Sequence, residues 1–320
     1  MYSKAFAVLI CLSCASFGAE ARNLKDIRDT TFTFEGISVN DVRGDSNDVV
    51  AGIRGDIGNN IRGSASFTDL VMNIQAIISS VVKRGNNNDI QSLIDFAIAD
   101  SASIENMRDQ IEAIIINKFN DADSNTVNSV IEAVIGKNSD IEDMRRTLET
   151  IISNQIKGDN NDLMNVIEMA LDNGADIDDL TATISAIISN VVDGDSNNFE
   201  NIVEIALAAS GSTNIDEMVS KVEAIISNNV DGSDNIIENT MKLEAFTGSE
   251  LDDVRSTITA IINNEINGAR NEIENNIDVD AMNNIDGDDI RSDIEAIISN
   301  EIKGARNDIR NDIDVSFGDR

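Results

Sequence analysis

The sequence predicts an all-α fold: tandem helical hairpins of about 37 residues, in seven copies, stacked as an α-solenoid or as an elongated helical bundle. Three observations predict it. An Ile-Ile pair, usually preceded by Ala, begins at Ile77, Ile114, Ile151, Ile187, Ile225, Ile261 and Ile297, at intervals of 36 to 38 residues. Around each pair the large apolar residues step by three and four, as in Ile177, Leu180, Ile184, Ile187, Ile188 and Val191, the spacing of one face of an amphipathic helix. Downstream of each pair a Gly-x-x-Asn pattern punctuates the chain, and self-similarity at a fixed period of this length is the mark of stacked supersecondary units.

The units span 66–102, 103–139, 140–175, 176–213, 214–249, 250–285 and 286–320. The first helix of each opens at Ser66, Ser103, Asp140, Asp176, Asn214, Glu250 or Asp286, most of them residues whose side-chain oxygen accepts an orphan backbone N–H. Three residues on stand Asp69, Asn106, Asp143, Asp179, Glu217, Asp253 and Asp289, where an acid complements the positive end of a helix and Glu217 is placed to close a capping box. Gly85, Gly158, Gly194, Gly232, Gly268 and Gly304, with Ala122 as the exception, then suit a left-handed helix terminator. Asn88, Asn125, Asn161, Asn197, Asn235, Asn271 and Asn307 suit the N-cap of a second helix.

That second helix carries apolar positions such as Phe199, Ile202, Val203 and Ala206, with Gln91, Glu200, Glu238 and Glu274 three residues after the cap. In the last two units it is more polar, with Asn275-Asn276 and Asn311-Asp312, as a solvated terminal cap requires. A single hairpin buries too little apolar surface to offset the entropy of ordering it, so neighbouring units are expected to stack.

Before the units, residues 1–21 read as an export signal, with Lys4 as the positive flank, an apolar run from Ala5 to Leu12, and Ala19-Glu20-Ala21 as a small-x-small cleavage site. The run is far shorter than the ~20 residues of a spanning helix, so no membrane span is expected and the protein is placed outside the cell. Cys11 and Cys14 fall inside this segment, which leaves no disulfide framework. Residues 22–65 are an irregular leader in which Arg43-Gly44-Asp45-Ser46-Asn47 echoes the turn of the units, a degenerate half-repeat.

Removal of residues 1–21 takes away Lys4 and Glu20 together, so the net charge stays at −34. A surface of that sign excludes nucleic acid as a partner and attracts cations, with repulsion screened beyond about 8 Å at physiological salt. Asparagine is abundant, yet no Asn-x-Ser/Thr sequon occurs, so N-glycans are not expected to obstruct packing between copies.

Two oxygen-rich sets invite a calcium reading: Asp121, Asp123 and Asn125 with Glu132, and Asp193, Asp195 and Asn197 with Glu204. They place hard ligands at loop positions 1, 3, 5 and 12, but the EF-hand turn requires Gly at position 6, and here Gly sits at position 2. Arg84, Lys157 and Lys303 occupy position 1 in other units, where a cation repels the metal. Any Ca²⁺ is expected to be loosely bound, with no other cofactor. Two Arg-Gly-Asp triplets, Arg43-Gly44-Asp45 and Arg54-Gly55-Asp56, resemble the short adhesion motif of integrin ligands, although turn chemistry accounts for the glycine equally well.

The chain has no His, and its Cys lie only in the export segment, which removes the usual bases, nucleophiles and transition-metal ligands. Its carboxylates recur from unit to unit instead of converging once, and no enzyme is expected. These features together predict a secreted, acidic structural or assembly component of an extracellular material such as silk, mucus, cement, egg case or mineral matrix. Its partners are then further copies or other matrix proteins. The alternative is a soluble extracellular solenoid that binds a protein or lipid, with Ca²⁺ as a modulator.

Overall fold

The structure is a computed structural model and describes residues 9–12, 30–57, 66–98, 103–135, 140–171, 176–207, 214–246, 250–281 and 290–318. Among them there is no helix. The all-α expectation, and with it the helical hairpin and the α-solenoid or helical bundle, is overturned: each unit is one coil of a parallel β-solenoid.

After a four-residue strand β1 (Leu9–Leu12), long and short strands alternate. They run β2 (Thr30–Arg43) and β3 (Asp48–Ile57), β4 (Ser66–Lys83) and β5 (Asp89–Ile98), β6 (Ser103–Asn120) and β7 (Thr126–Ile135), β8 (Asp140–Lys157) and β9 (Asp162–Leu171). There follow β10 (Asp176–Asp193) and β11 (Asn198–Leu207), β12 (Asn214–Asp231) and β13 (Ile236–Ala245), β14 (Glu250–Asn267) and β15 (Glu272–Ala281), β16 (Ile290–Lys303) and β17 (Asp308–Phe317). The long strands pair in parallel into one eight-stranded sheet, and the short strands, with β1 at the edge, pair into a nine-stranded sheet. Register is one repeat, so Ile187 lies beside Ile151 and Ile225, and Asn190 beside Asn154 and Asn228.

The helical reading failed because apolar residues occupy both faces of the long strand. Along β10 the inward positions are Leu180, Ala182, Ile184, Ala186, Ile188, Asn190 and Val192, which is strict alternation. Two of these are small and one is polar, while Ile187 and Val191 stand on the outer face, so the large residues alone fall at steps of three and four. The supposed N-caps begin long strands instead. Near that start the pairing skips one residue, Asp178 between Ile177 and Asp179, and both aspartates are exposed as the strand changes phase. The start expected at Asp286 and the acid at Asp289 lie outside the described residues.

The turn pattern also changes meaning. Gly194 stacks on Gly158, and a Cβ on it would lie 2.0 Å from the Gly158 carbonyl oxygen, so glycine is required by the closeness of the next coil and not by a helix terminus. The turn asparagine is buried and donates to the next copy: Asn197 gives its backbone N–H and its Nδ2 to Asn235 Oδ1 at 2.9 and 3.2 Å. Gln91, Glu200, Glu238 and Glu274, expected as cap partners, lie on the short strands.

Inside, the two sheets enclose a long apolar core that includes Ile188 and Val203, and a second by the turns that includes Val192 and Phe199. Between them runs a buried double ladder of amides. Asn190 Nδ2 donates to Asn201 Oδ1 across the sheets at 2.9 Å and to Asn228 Oδ1 in the next coil at 2.8 Å, while Asn154 Nδ2 donates to Asn190 Oδ1 at 2.8 Å. Parallel stacking brings identical amides about 4.8 Å apart, the spacing at which each can satisfy its neighbour without water.

Candidate functional site

The two calcium sets are not assembled. Asp123 Oδ1 accepts the backbone N–H of Asp159 at 2.9 Å, and Asp195 Oδ1 accepts that of Ser233 at 2.7 Å, so both carboxylates cap the stacked turns. Asn125 and Asn197 belong to the buried turn ladder. Asp121 is exposed at a positive φ, and Asp193 pairs with Lys157 at 3.4 Å. Glu132 and Glu204 sit seven residues further along extended strands, about 23 Å away at ~3.3 Å per residue, and cannot share a cation with the turns. Among the described residues no group of three or more His, Cys, Asp or Glu is gathered to hold a metal.

The two Arg-Gly-Asp triplets differ. Arg43 ends β2 with its guanidinium 3.0 Å from Asp41, Gly44 takes a φ of 100°, and Asp45 Oδ1 accepts the backbone N–H of Asn86. Arg43 and Gly44 rim an open surface depression lined also by Lys83, Arg84, Asn120 and Asp121. Arg54-Gly55-Asp56 lies within β3, with Arg54 paired to Asp95 and Gly55 buried so tightly that a Cβ would meet Phe96 Cδ1 at 2.7 Å. The side chain of Asp56 lies outside the described residues. The second triplet is therefore strand, not a displayed turn.

One feature breaks the repeat, and sequence reasoning missed it. The inward column Met72, Asp109, Arg146, Ala182, Ser220, Ser256, Ser292 carries a charged pair in its second and third coils. Arg146 Nε donates to Asp109 Oδ2 at 2.8 Å, and both side chains are fully enclosed. Burial pushes the Asp109 carboxyl above its ordinary value, while the guanidinium pulls the other way. Full enclosure denies the pair a substrate, and it marks one inward position where two coils differ from their near-identical neighbours. The signal available in the sequence was two charges of opposite sign at one inward position of successive units.

The outer face of the long-strand sheet is repetitive. Ile37, Ile77, Ile114, Ile151, Ile187, Ile225, Ile261 and Ile297 form a single in-register column of eight, half-buried in the middle and exposed at both ends. Near the start of the strands Asp69, Asn106, Asp143, Asp179, Glu217 and Asp253 form a second column, mostly of carboxylates. Lost hydration first, and then Asp143 and Glu217 on either side, raise the Asp179 carboxyl above its ordinary value of 3.8. Lost hydration, Asp95 and Glu168 likewise raise Glu132 above 4.5.

A carboxyl with a raised folded-state value binds its proton more tightly folded than unfolded, so Asp179 and Glu132 oppose folding at neutral pH and cease to do so on acidification. Asp41 and Asp234, held down chiefly by their hydrogen bonds to Arg43 and Arg270, act with the opposite sign, but their contribution is lost only below their ordinary value of 3.8. The thermal midpoint is therefore expected to rise as the pH falls from neutral toward the raised values of Asp179 and Glu132, and to fall again in stronger acid. A midpoint that falls monotonically from pH 7 would contradict this.

The two ends of the solenoid are unlike. The last coil was expected to be a polar cap, yet its inward positions Ile309, Asn311, Ile313 and Val315 repeat Ile273, Asn275, Ile277 and Val279 of the coil before. Among the described residues no coil stacks on this one, and Ile309, Ile313 and Val315 are 40%, 45% and 37% exposed. Amide donors in both ladders point toward this end, from Asn235 to Asn271 to Asn307 in the turns and from Asn228 to Asn264 to Asn300 in the long strands. At the opposite end, Asn47 and Asn40 donate inward to Asn88 and Ser80, and their Oδ1 atoms have no donor among the described residues.

Comparison of the chain with protein-family models, with curated proteins and with solved structures gives no match.

Proposed function

We propose that this chain is a secreted structural protein that acts by assembling into an extracellular material, with further copies or other matrix proteins as its partners. The observation that supports the reading most is the outer isoleucine column, one residue type repeated eight times in register on one sheet. A single ligand calls for a singular site, whereas a surface that repeats at every coil is matched to a partner that repeats. The alternative of a binding module would need surface residues that differ from coil to coil at equivalent positions. The charged pair that breaks the repeat among the described residues, Asp109–Arg146, is enclosed.

Export is supported by the reading of residues 1–21 as a signal, and the lack of sequons leaves the faces open to packing. Divalent cations serve as counterions that reduce repulsion between copies carrying a net charge of −34. Light scattering at low ionic strength is expected to show oligomers promoted by millimolar Ca²⁺ and reversed by chelation. A strict monomer at every calcium concentration would overturn the proposal.

A further inference from the structure

We propose that the protein elongates head to tail, the last coil of one copy (β16 and β17) stacking on the first coil of the next (β2 and β3), so that successive copies continue one solenoid. This deepens the assembly reading and rests on it. The partner is a second copy because the two ends complete each other in register and in hydrogen-bond polarity. Carried one repeat further, the in-register pairing of neighbouring coils places Asn307 against Asn47 and Asn300 against Asn40. It also places Ile313 against Ile53, and Ile302 against Val42.

Asn307 brings a backbone N–H and the second hydrogen of its Nδ2, whose first goes to Gly268 O at 3.1 Å; Asn271 gives the same donors to Asn307 Oδ1 at 2.9 and 3.3 Å, and Asn47 Oδ1 is the matching acceptor. Asn300 Nδ2 meets the open Asn40 Oδ1 in the same way. On the outer face Asp314 comes beside Arg54, which already holds a carboxylate of the following coil, Asp95. Two like ends brought together would instead oppose donor to donor or acceptor to acceptor, so the polarity of the ladders selects head-to-tail contact.

Open parallel strand edges supply the backbone part of the junction. Strand β1 occupies only Gly52–Gly55 of β3, and it belongs to residues 1–21, which the sequence assigns to the export signal; the incoming β17 takes its place. The contact is heterologous and the two sheets are continued without a closing rotation, which yields linear filaments rather than rings.

The test uses the secreted protein and a dead-end variant, Ile313→Lys, with Val315→Asp as a second. Both positions are more than a third exposed on the terminal coil, and far-UV circular dichroism confirms that strand content is kept. The wild type is expected to show a mean mass that grows with concentration to several times that of one copy, with linear particles by electron microscopy. The variants are expected to need at least ten-fold higher concentration for the same growth. Added in small proportion to wild type, they should shorten the filaments, because their first coil still docks and their last coil does not extend. Ile187→Lys, in the outer isoleucine column, should still elongate end to end, and only the side-by-side association of filaments should weaken.

Growth of Ile313→Lys and Val315→Asp indistinguishable from wild type would overturn the head-to-tail junction. Loss of assembly in Ile187→Lys alone would do the same while leaving the assembly reading in place on the faces. A monomer in every sample would remove both.

Discussion

Arg146→Ala is expected to lower the unfolding free energy by about 3–5 kcal/mol, because it strips the partner from a carboxylate that has no access to water. Asp109 is enclosed on the same inward column, and its Oδ1 has no hydrogen-bond donor, so after the substitution the buried charge has nothing to compensate it. The carboxyl then takes up a proton more readily in the folded state than in the unfolded one, and the deficit should narrow as the pH is lowered. Replacing the pair together, Asp109→Leu with Arg146→Met, restores an apolar column like that at Met72 and is expected to be neutral or stabilising by about 1–4 kcal/mol. Chemical denaturation of the three proteins checks both statements, and a single mutant as stable as the double would show that the pair does no work in the core.

Asn190→Leu is expected to cost about 2–6 kcal/mol, from four lost ladder bonds at roughly 0.5–1.5 kcal/mol each. Asn190 Oδ1 accepts from Asn154 and Asn165, and its Nδ2 donates to Asn201 and Asn228, so no neighbour escapes, although each keeps one bond within the ladder. Asn190→Ser should cost less, since Ser80 occupies this column naturally and accepts from Asn40 at 3.3 Å. Asn300→Leu, at the open end, should cost less still. Equal losses at positions 190 and 300 would mean that the ladder contributes nothing beyond side-chain volume.

These effects explain why so much of the fold was misread from residues that were correctly singled out. The Ile-Ile pair, the turn glycine and the turn asparagine were all visible as landmarks, and each proved to be a stacked column. What they do is set by the neighbour one repeat away. Asn197 would cap a helix equally well if the next unit were not beside it. Asp123 and Asp195 read as metal ligands because nothing along the chain shows that a backbone N–H of the following coil occupies them. The buried pair was legible only in part: charges of opposite sign recur at positions 109 and 146, but their burial follows from knowing which parity faces inward.

The sequence by itself determined the period, the alignment of the units, the net charge and the residues that must coincide from copy to copy, but it counted seven units and read β2 and β3, a complete eighth coil, as an irregular leader with a half-repeat. The tertiary structure alone decided that those residues lie on strands, which of Ile187 and Ile188 faces the core, and how the two ends differ. The physical reason is that large apolar residues stand on both faces of the long strand, with Ala and Asn interspersed inside, so local periodicity is compatible with helix and strand alike. Stacking of identical coils resolves the ambiguity, because only there does each inward Asn find its like at bonding distance.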